Sequence, residues 1–264
     1  MNSEDSILNP FNYHFFRIYI YHPCLFLLNL IRYPNKSFKL LKLNFSSNQY
    51  LLYGFKIISP KKIDKYFFAN LNSKFNSFIL ELYEPNEKIL IDKYLNSKDV
   101  VLELGGCIGV ISLNINKVIK HSKHLVLEID PEKYNFLIKN RDLNDINFHT
   151  LNGVLSNKKK LYYEPSTNFW GGRLVNFKTN FPVRSYTIDQ LEQNTNLVFN
   201  TLVMDIEGGE VEVFEEINLD NFNKLIFEIH FNRKSKNYTK IESKLVQSNF
   251  KKIESYGRVE YWKK

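Results

Sequence analysis

Val100-Val101-Leu102-Glu103-Leu104-Gly105-Gly106-Cys107-Ile108-Gly109 is the stretch from which the fold can be read. A short apolar run rich in valine and leucine carries an acid near its end and breaks into a glycine turn. Residues 109–120 then show apolar side chains at Val110, Ile111, Leu113, Ile115, Val118 and Ile119, the spacing of a helix lying on a sheet. Glycine lets the backbone bend sharply there and lets a ligand lie directly against main-chain atoms. The order Gly105, Gly106, Gly109 is not the dinucleotide fingerprint. A dinucleotide site holds a pyrophosphate on the helix N-terminus, where a carboxylate would repel it. Glu103 instead favours a cationic group.

One βα unit further on, Leu125-Val126-Leu127-Glu128-Ile129-Asp130-Pro131 ends a second strand in acids, where a carboxylate commonly accepts hydrogen bonds from a ribose diol. A third strand ends at Leu151-Asn152-Gly153, where the Asn152 amide is placed to meet an adenine edge. Taken singly, the glycines make an ordinary βα turn, and Glu128 or Asp130 caps a helix. Together and in this order they point to a nucleoside with a cationic tail, S-adenosylmethionine, held by Glu103, Gly105, Gly106, Gly109, Glu128, Asp130 and Asn152.

Strand-like runs at 100–104, 125–129, 148–151, 201–204 and 225–229 alternate with helical patterns at 109–120, 131–143, 211–217 and 238–248, which predicts an α/β fold with a mainly parallel sheet. The chain then runs through 250–256, a Gly257-Arg258 turn and 259–262, an antiparallel hairpin. Residues 161–186 show no clear period and read as an excursion over the active face.

These residues resemble the FkbM-type S-adenosylmethionine-dependent methyltransferases of the class I Rossmann-like superfamily. The likeness runs from about Glu81 to His230, through Tyr83-Glu84-Pro85-Asn86-Glu87, the glycine turn, Glu128-Ile129-Asp130-Pro131-Glu132 with Leu137 and Asn140, and Asn152 to Ser156. It continues through Tyr186-Thr187-Ile188-Asp189-Gln190-Leu191, Met204-Asp205-Ile206-Glu207-Gly208-Gly209-Glu210 and Phe227-Glu228-Ile229-His230. Glu103 stands where the family usually has Asp, Cys107 where it has Asn, and Met204 where it often has Lys. The resemblance implies a seven-stranded sheet with helices on both faces, and O-methylation of a sugar hydroxyl in a glycan or glycosylated metabolite.

In an open α/β sheet ligands sit beyond the carboxyl ends of the strands, so Asp205 and His230 should overlook the pocket. Methyl transfer from a sulfonium is an in-line displacement that depends on positioning, and an alcohol acceptor must lose a proton. His230 is the candidate general base, with Asp205, Glu207 or Glu228 orienting it or the acceptor. Glu210 reads as a structural residue favoured by a helix N-terminus. The acids leave a divalent metal open, but Asp205, Glu207, Glu228 and His230 show no diagnostic ligand spacing, so no metal site is assigned. Arg173 and Arg184 suit an anionic substrate group, Trp170 a sugar face, and Lys158, Lys159 and Lys160 a solvated loop.

The 264 residues carry 44% hydrophobic and 24% charged side chains, enough apolar material to exclude global disorder. The net charge of +8 is uneven: residues 1–80 hold ten basic and three acidic side chains, whereas 81–264 are nearly neutral. We therefore divide the chain into a basic, aromatic-rich extension, 1–80, and a catalytic domain, 81–264. Ala69 is the only alanine and arginine occurs at seven positions, so the lysine excess reflects composition more than nucleic-acid recognition. The extension, with Phe11, Tyr13, Phe15, Phe16, Tyr19, Tyr21 and Phe26 near Arg17, Arg32, Lys36, Lys39 and Lys42, suits an anionic membrane surface or a cap on the core. Cys24 and Cys107 form no framework and no signal peptide is evident, as expected of a cytoplasmic protein. Rival readings are a lipid-linked or small-molecule acceptor, and a binding module that keeps the fold without catalysis.

Overall fold

The structure, a computed structural model, describes residues 49–52, 55–59, 84–166 and 172–264. The readings on Trp170 and on the aromatic and basic residues before position 49 lie outside them.

The decisive stretch folds as read. β3 (Val101–Leu104) leads through the glycine turn into α2 (Val110–Ile119), and then come β4 (His124–Glu128), α3 (Pro131–Leu143) and β5 (His149–Asn152). The second half supplies β11 (Thr201–Met204), α5 (Glu210–Glu216), β12 (Lys224–Glu228), α6 (Lys236–Gln247) and the hairpin β13 (Lys251–Tyr256) and β14 (Val259–Lys263). These strands form one seven-stranded sheet in the order β13-β14-β12-β11-β3-β4-β5. β5, β4, β3, β11 and β12 run parallel, and β14 is antiparallel to both β12 and β13. The fold is therefore α/β and Rossmann-like, with the C-terminal antiparallel hairpin. After β3 the chain goes one way to β4 and β5 and later returns to the other side as β11. Ligands bind at such a reversal, between β3 and β11.

Strand side chains alternate between two apolar cores, as a period of two requires. Val101, Val126, Val203 and Ile226 meet α2, α3 and α1 (Pro85–Tyr94) through Ile111, Ile115, Leu137, Leu90 and Ile91. Leu102, Leu104, Leu202, Met204 and Leu225 meet α5, α6 and α4 (Ile188–Thr195) through Phe214, Ile241, Leu245 and Leu191. Helices thus cover both faces. α4 starts on a capping box, Thr187 Oγ1 accepting from Gln190 N and Gln190 Oε1 from Thr187 N, which explains the local sequence Thr-Ile-Asp-Gln.

A hairpin of β1 (Gln49–Leu52) and β2 (Phe55–Ile58) joins this body from within the stretch assigned to the extension. Asn140 on α3 accepts from Ile58 N and donates to Ile58 O at 2.6 and 2.9 Å, and Asn144 does the same for Lys56 at 2.8 and 2.7 Å. Four residues of helix rise about 6 Å and two residues of strand about 6.8 Å, so two side-chain amides can stand in for a neighbouring strand.

The excursion is a small sheet of its own, β8-β7-β9, made of β7 (Leu161–Pro165), β8 (Gly172–Val175) and β9 (Pro182–Val183). β6 (Val154–Leu155) and β10 (Ser185–Tyr186) pair at its base.

Candidate active site

The glycine turn is shaped by what presses on it. Gly105 has φ +89°, and a Cβ there would sit 1.8 Å from the backbone oxygen of Asp205; at Gly106 it would meet Val126 and Leu137 at 2.2 and 2.5 Å. Gly109, φ +88°, begins α2. Backbone therefore packs on backbone where β3 and β11 end, with no room for side chains.

A cleft of about 560 Å³ opens above this junction. Gly105, Cys107 and Glu128 form one side, Asp205, Glu207 and Glu84 another, and Tyr163, Arg173, Leu174 and Phe177 of the small sheet a third. Glu128, the last residue of the second strand, lines it. Glu128 is 4% exposed; its Oε2 accepts from Cys107 N at 2.7 Å and its Oε1 from Asp130 N at 2.8 Å. Each oxygen keeps a lone pair for a further donor, which fits a vicinal diol. Burial raises the Glu128 carboxyl above its ordinary range, opposed by Lys133 and by these two amides.

Three expected cofactor contacts lie elsewhere. Glu103 faces the α2 side of the sheet, 2% exposed, bonded to Ser112 Oγ at 2.9 Å and His124 Nε2 at 2.8 Å; it braces the turn from beneath and does not line the cleft. Asp130 caps α3 through Glu132 N and Lys133 N and takes the Tyr163 hydroxyl at 2.8 Å. Asn152 donates to Glu128 O and Ile129 O at 2.7 and 3.1 Å, fixing the loop after β4. Each is drawn off by a nearer partner. The capping alternative was legible in Asp130-Pro131.

The opposite side gathers acids. Asp205 and Glu207 line the cleft, and His230 stands behind them, its Nε2 3.4 Å from Asp205 Oδ1 and 3.5 Å from Glu207 Oε2. Its Nδ1 donates to Glu210 Oε1 at 2.5 Å; Glu210 is fully buried and also accepts from Gly208 N. Burial opposes a charge on His230, but the Glu210 hydrogen bond and the Asp205 and Glu207 charges outweigh it and raise the imidazole to about 9. The shift favours the protonated ring, whereas a general base starts from the neutral one. Asp205 is raised well above the carboxylate range by burial and then by Glu84 and Glu228.

Two acids absent from the expected set complete the group. Glu84 sits in the left-handed region before α1, raised to about 7 by burial and then by Glu228 and Glu207. Glu87, one turn into α1, is raised well above its ordinary value by burial and then by Asp205. The only sequence signal for them was the Tyr83 to Glu87 block. Arg173 lines the cleft but pairs with Glu164 at 2.6 Å, Lys158 lines it near Glu216, and Arg184 faces away from it.

Sheet order, the crevice at the reversal and the glycine turn define a Rossmann-like methyltransferase. Residues 103–258 match the family model described as the methyltransferase FkbM domain, more than half of the chain, and the chain belongs to that family. Similar solved structures include the ribosomal protein L11 methylase of Lactobacillus delbrueckii subsp. bulgaricus, with 15% identity, 69% of this chain and 77% of that one covered, and a TM-score of 0.43. Aeropyrum pernix fibrillarin in complex with natively bound S-adenosyl-L-methionine gives 13%, 66%, 72% and 0.41. M. jannaschii TYW2 in complex with AdoMet gives 13%, 83%, 85% and 0.38. No curated protein matches the sequence significantly. Among the described residues, no helix is long and apolar enough to cross a membrane.

Proposed function

We propose that this methyltransferase uses S-adenosylmethionine to methylate a sugar hydroxyl in a glycan or glycosylated metabolite. The observation that carries the reading is one cleft shared by two chemistries, the turn and Glu128 on one side and Asp205 and Glu207 on the other. Bound there, the cofactor supplies an activated methyl on a sulfonium. Glu128 receives the ribose diol, and Gly105 and Cys107 of the glycine turn lie against the ligand. Asp205 and Glu207 hold the acceptor hydroxyl, and their oxygens are placed to take its hydrogen bond as the bond to carbon forms. Leu174 and Phe177, 41% and 52% exposed on the cleft wall, offer an apolar surface for the C–H face of a sugar ring.

Calorimetry with S-adenosylmethionine and a methyl-transfer screen over glycans and nucleotide sugars test the reading. No binding at millimolar cofactor sinks it, and transfer only to non-sugar acceptors sinks the sugar assignment. An acceptor carried on a lipid is the second reading, favoured by the charge of residues 1–80. Vesicle co-sedimentation of the full chain against a chain starting at Phe45, which keeps the β1–β2 hairpin, checks it, and equal binding removes it.

A further inference from the structure

We propose that Asp205, Glu228 and His230 form a binding site for one divalent cation of the manganese type, reached from the cleft through Asp205, which lines it. One ligand atom of each lies within 4.8 Å of the other two. Two metal–ligand bonds of about 2.1–2.2 Å meeting between a right and a tetrahedral angle hold their donor atoms about 3.0–3.5 Å apart. His230 Nε2 is 3.4 Å from Asp205 Oδ1, a separation that suits an ion between them better than a direct hydrogen bond.

Further buried carboxylates lie beside this cluster. Glu87 is 4% exposed, has a carboxylate oxygen within 4.8 Å of Asp205 and Glu84, and makes no hydrogen bond through its side chain to another described residue. Asp205 Oδ1 is buried without a hydrogen-bond partner, as is Oε2 of the fully buried Glu210. Glu84, Glu87 and Asp205 share one cluster and Asp205, Glu228 and His230 the next, with Glu207 and Glu210 against His230. Buried charge of one sign is costly unless a partner offsets it, and a divalent ion offsets more than any one side chain.

The second shell is also in place. A ligating histidine typically donates its other ring nitrogen to a carboxylate, as Nδ1 does to Glu210. Oxygen ligands with one imidazole suit manganese better than calcium or magnesium. Spacing along the chain assigns no metal site because it is blind to ligands that meet only where β11 and β12 end side by side.

The role of the ion rests on the methyl-transfer reading; the site itself does not. An acceptor hydroxyl bound to the ion is acidified and loses its proton to solvent. Its oxygen then bonds to the methyl carbon as the carbon–sulfur bond breaks, the electron pair staying on sulfur, with no redox change.

The test titrates the full-length protein, stripped with EDTA and dialysed, with manganous ion at neutral pH. Bound metal is read from loss of the free-ion electron paramagnetic resonance signal, and S-adenosylmethionine binding is read by calorimetry on the same samples. We expect one saturable site per chain, weakened about 10–100-fold by Glu210→Gln and lost in Asp205→Asn and Glu228→Gln. No saturable site in the native chain overturns the proposal, as does binding unchanged by Glu228→Gln; if a ligand variant fails to fold, the native chain and Glu210→Gln decide. Cofactor binding without metal binding leaves the methyltransferase reading standing, and metal binding without cofactor binding removes only that reading.

Discussion

Glu210 Oε1 lies 2.5 Å from His230 Nδ1 and ties the first turn of α5 to the loop after β12. With Nδ1 committed to this bond, the ring is oriented so that Nε2 addresses Asp205 and Glu207 at the cleft. Replacing Glu210 by Gln keeps the shape and removes the charge. Turnover should fall about 10–100-fold while S-adenosylmethionine affinity stays within threefold or so, as steady-state kinetics and calorimetry can check. Equal losses in both would place Glu210 in the fold alone.

Glu128 and Glu103 separate cofactor binding from stability. Losing a hydrogen-bonded charge removes about 1.5–3 kcal/mol, so Glu128→Gln should weaken S-adenosylmethionine about 10–100-fold. Glu103→Ala leaves His124 Nε2 and Ser112 Oγ without their buried partner. It should cost about 3–5 kcal/mol in urea denaturation, with cofactor affinity nearly unchanged under conditions where the variant is folded.

Gly105 and Gly208 both have positive φ, but only Gly105 is crowded. Gly208→Ala should lower stability by about 1 kcal/mol through backbone strain. Gly105→Ala adds a collision with the Asp205 carbonyl and should abolish measurable cofactor binding. Thermal melts and calorimetry on the pair decide it, and similar effects would refute the packing argument.

Glu254 joins α1 to the C-terminal hairpin, accepting from Lys93 Nζ at 2.7 Å and Tyr94 OH at 2.5 Å. The Lys93 hydrogen bond, then that of Tyr94, lowers its carboxyl from 4.5 to about 2. Because the folded value is depressed, the stabilisation is fully present above the unfolded value and is lost as the pH falls through the folded one. The melting-temperature difference between the native chain and Glu254→Gln should be constant above about pH 5 and close between about pH 4.5 and 2. A gap that widens on acidification would contradict the sign.

Much of the fold was legible because Val101 to Leu104 and Thr201 to Met204 are uninterrupted apolar runs, all buried in the structure. The site was less so. Glu103 and Glu128 look equivalent in sequence, yet Glu103 stands opposite Val126 and is held inside the sheet by Ser112 and His124, whereas Glu128 lies two residues further toward the carboxyl end and reaches the cleft. Both share the α2 face of the sheet, so their different fates follow from how far along the strand each lies, and strand ends shift by a residue or two against any sequence reading. Glu84 and Glu87 escaped notice because burying charged side chains runs against the pattern by which helices are found. The strands β7, β8 and β9 are short and interrupted by Pro165, Gly172 and Pro182, so no period survives in them.

The small β8-β7-β9 sheet closes its ladders on itself and shares none with the seven-stranded sheet. Tyr163 pins it to Asp130, at the cap of α3. This wall of the cleft is therefore a cassette: on the proposed reading it faces the acceptor, and its loops and side chains can be rewritten by insertion or exchange without breaking a hydrogen bond of the parallel strands. In evolutionary terms, acceptor choice and methyl-donor chemistry are free to change at different rates in this chain.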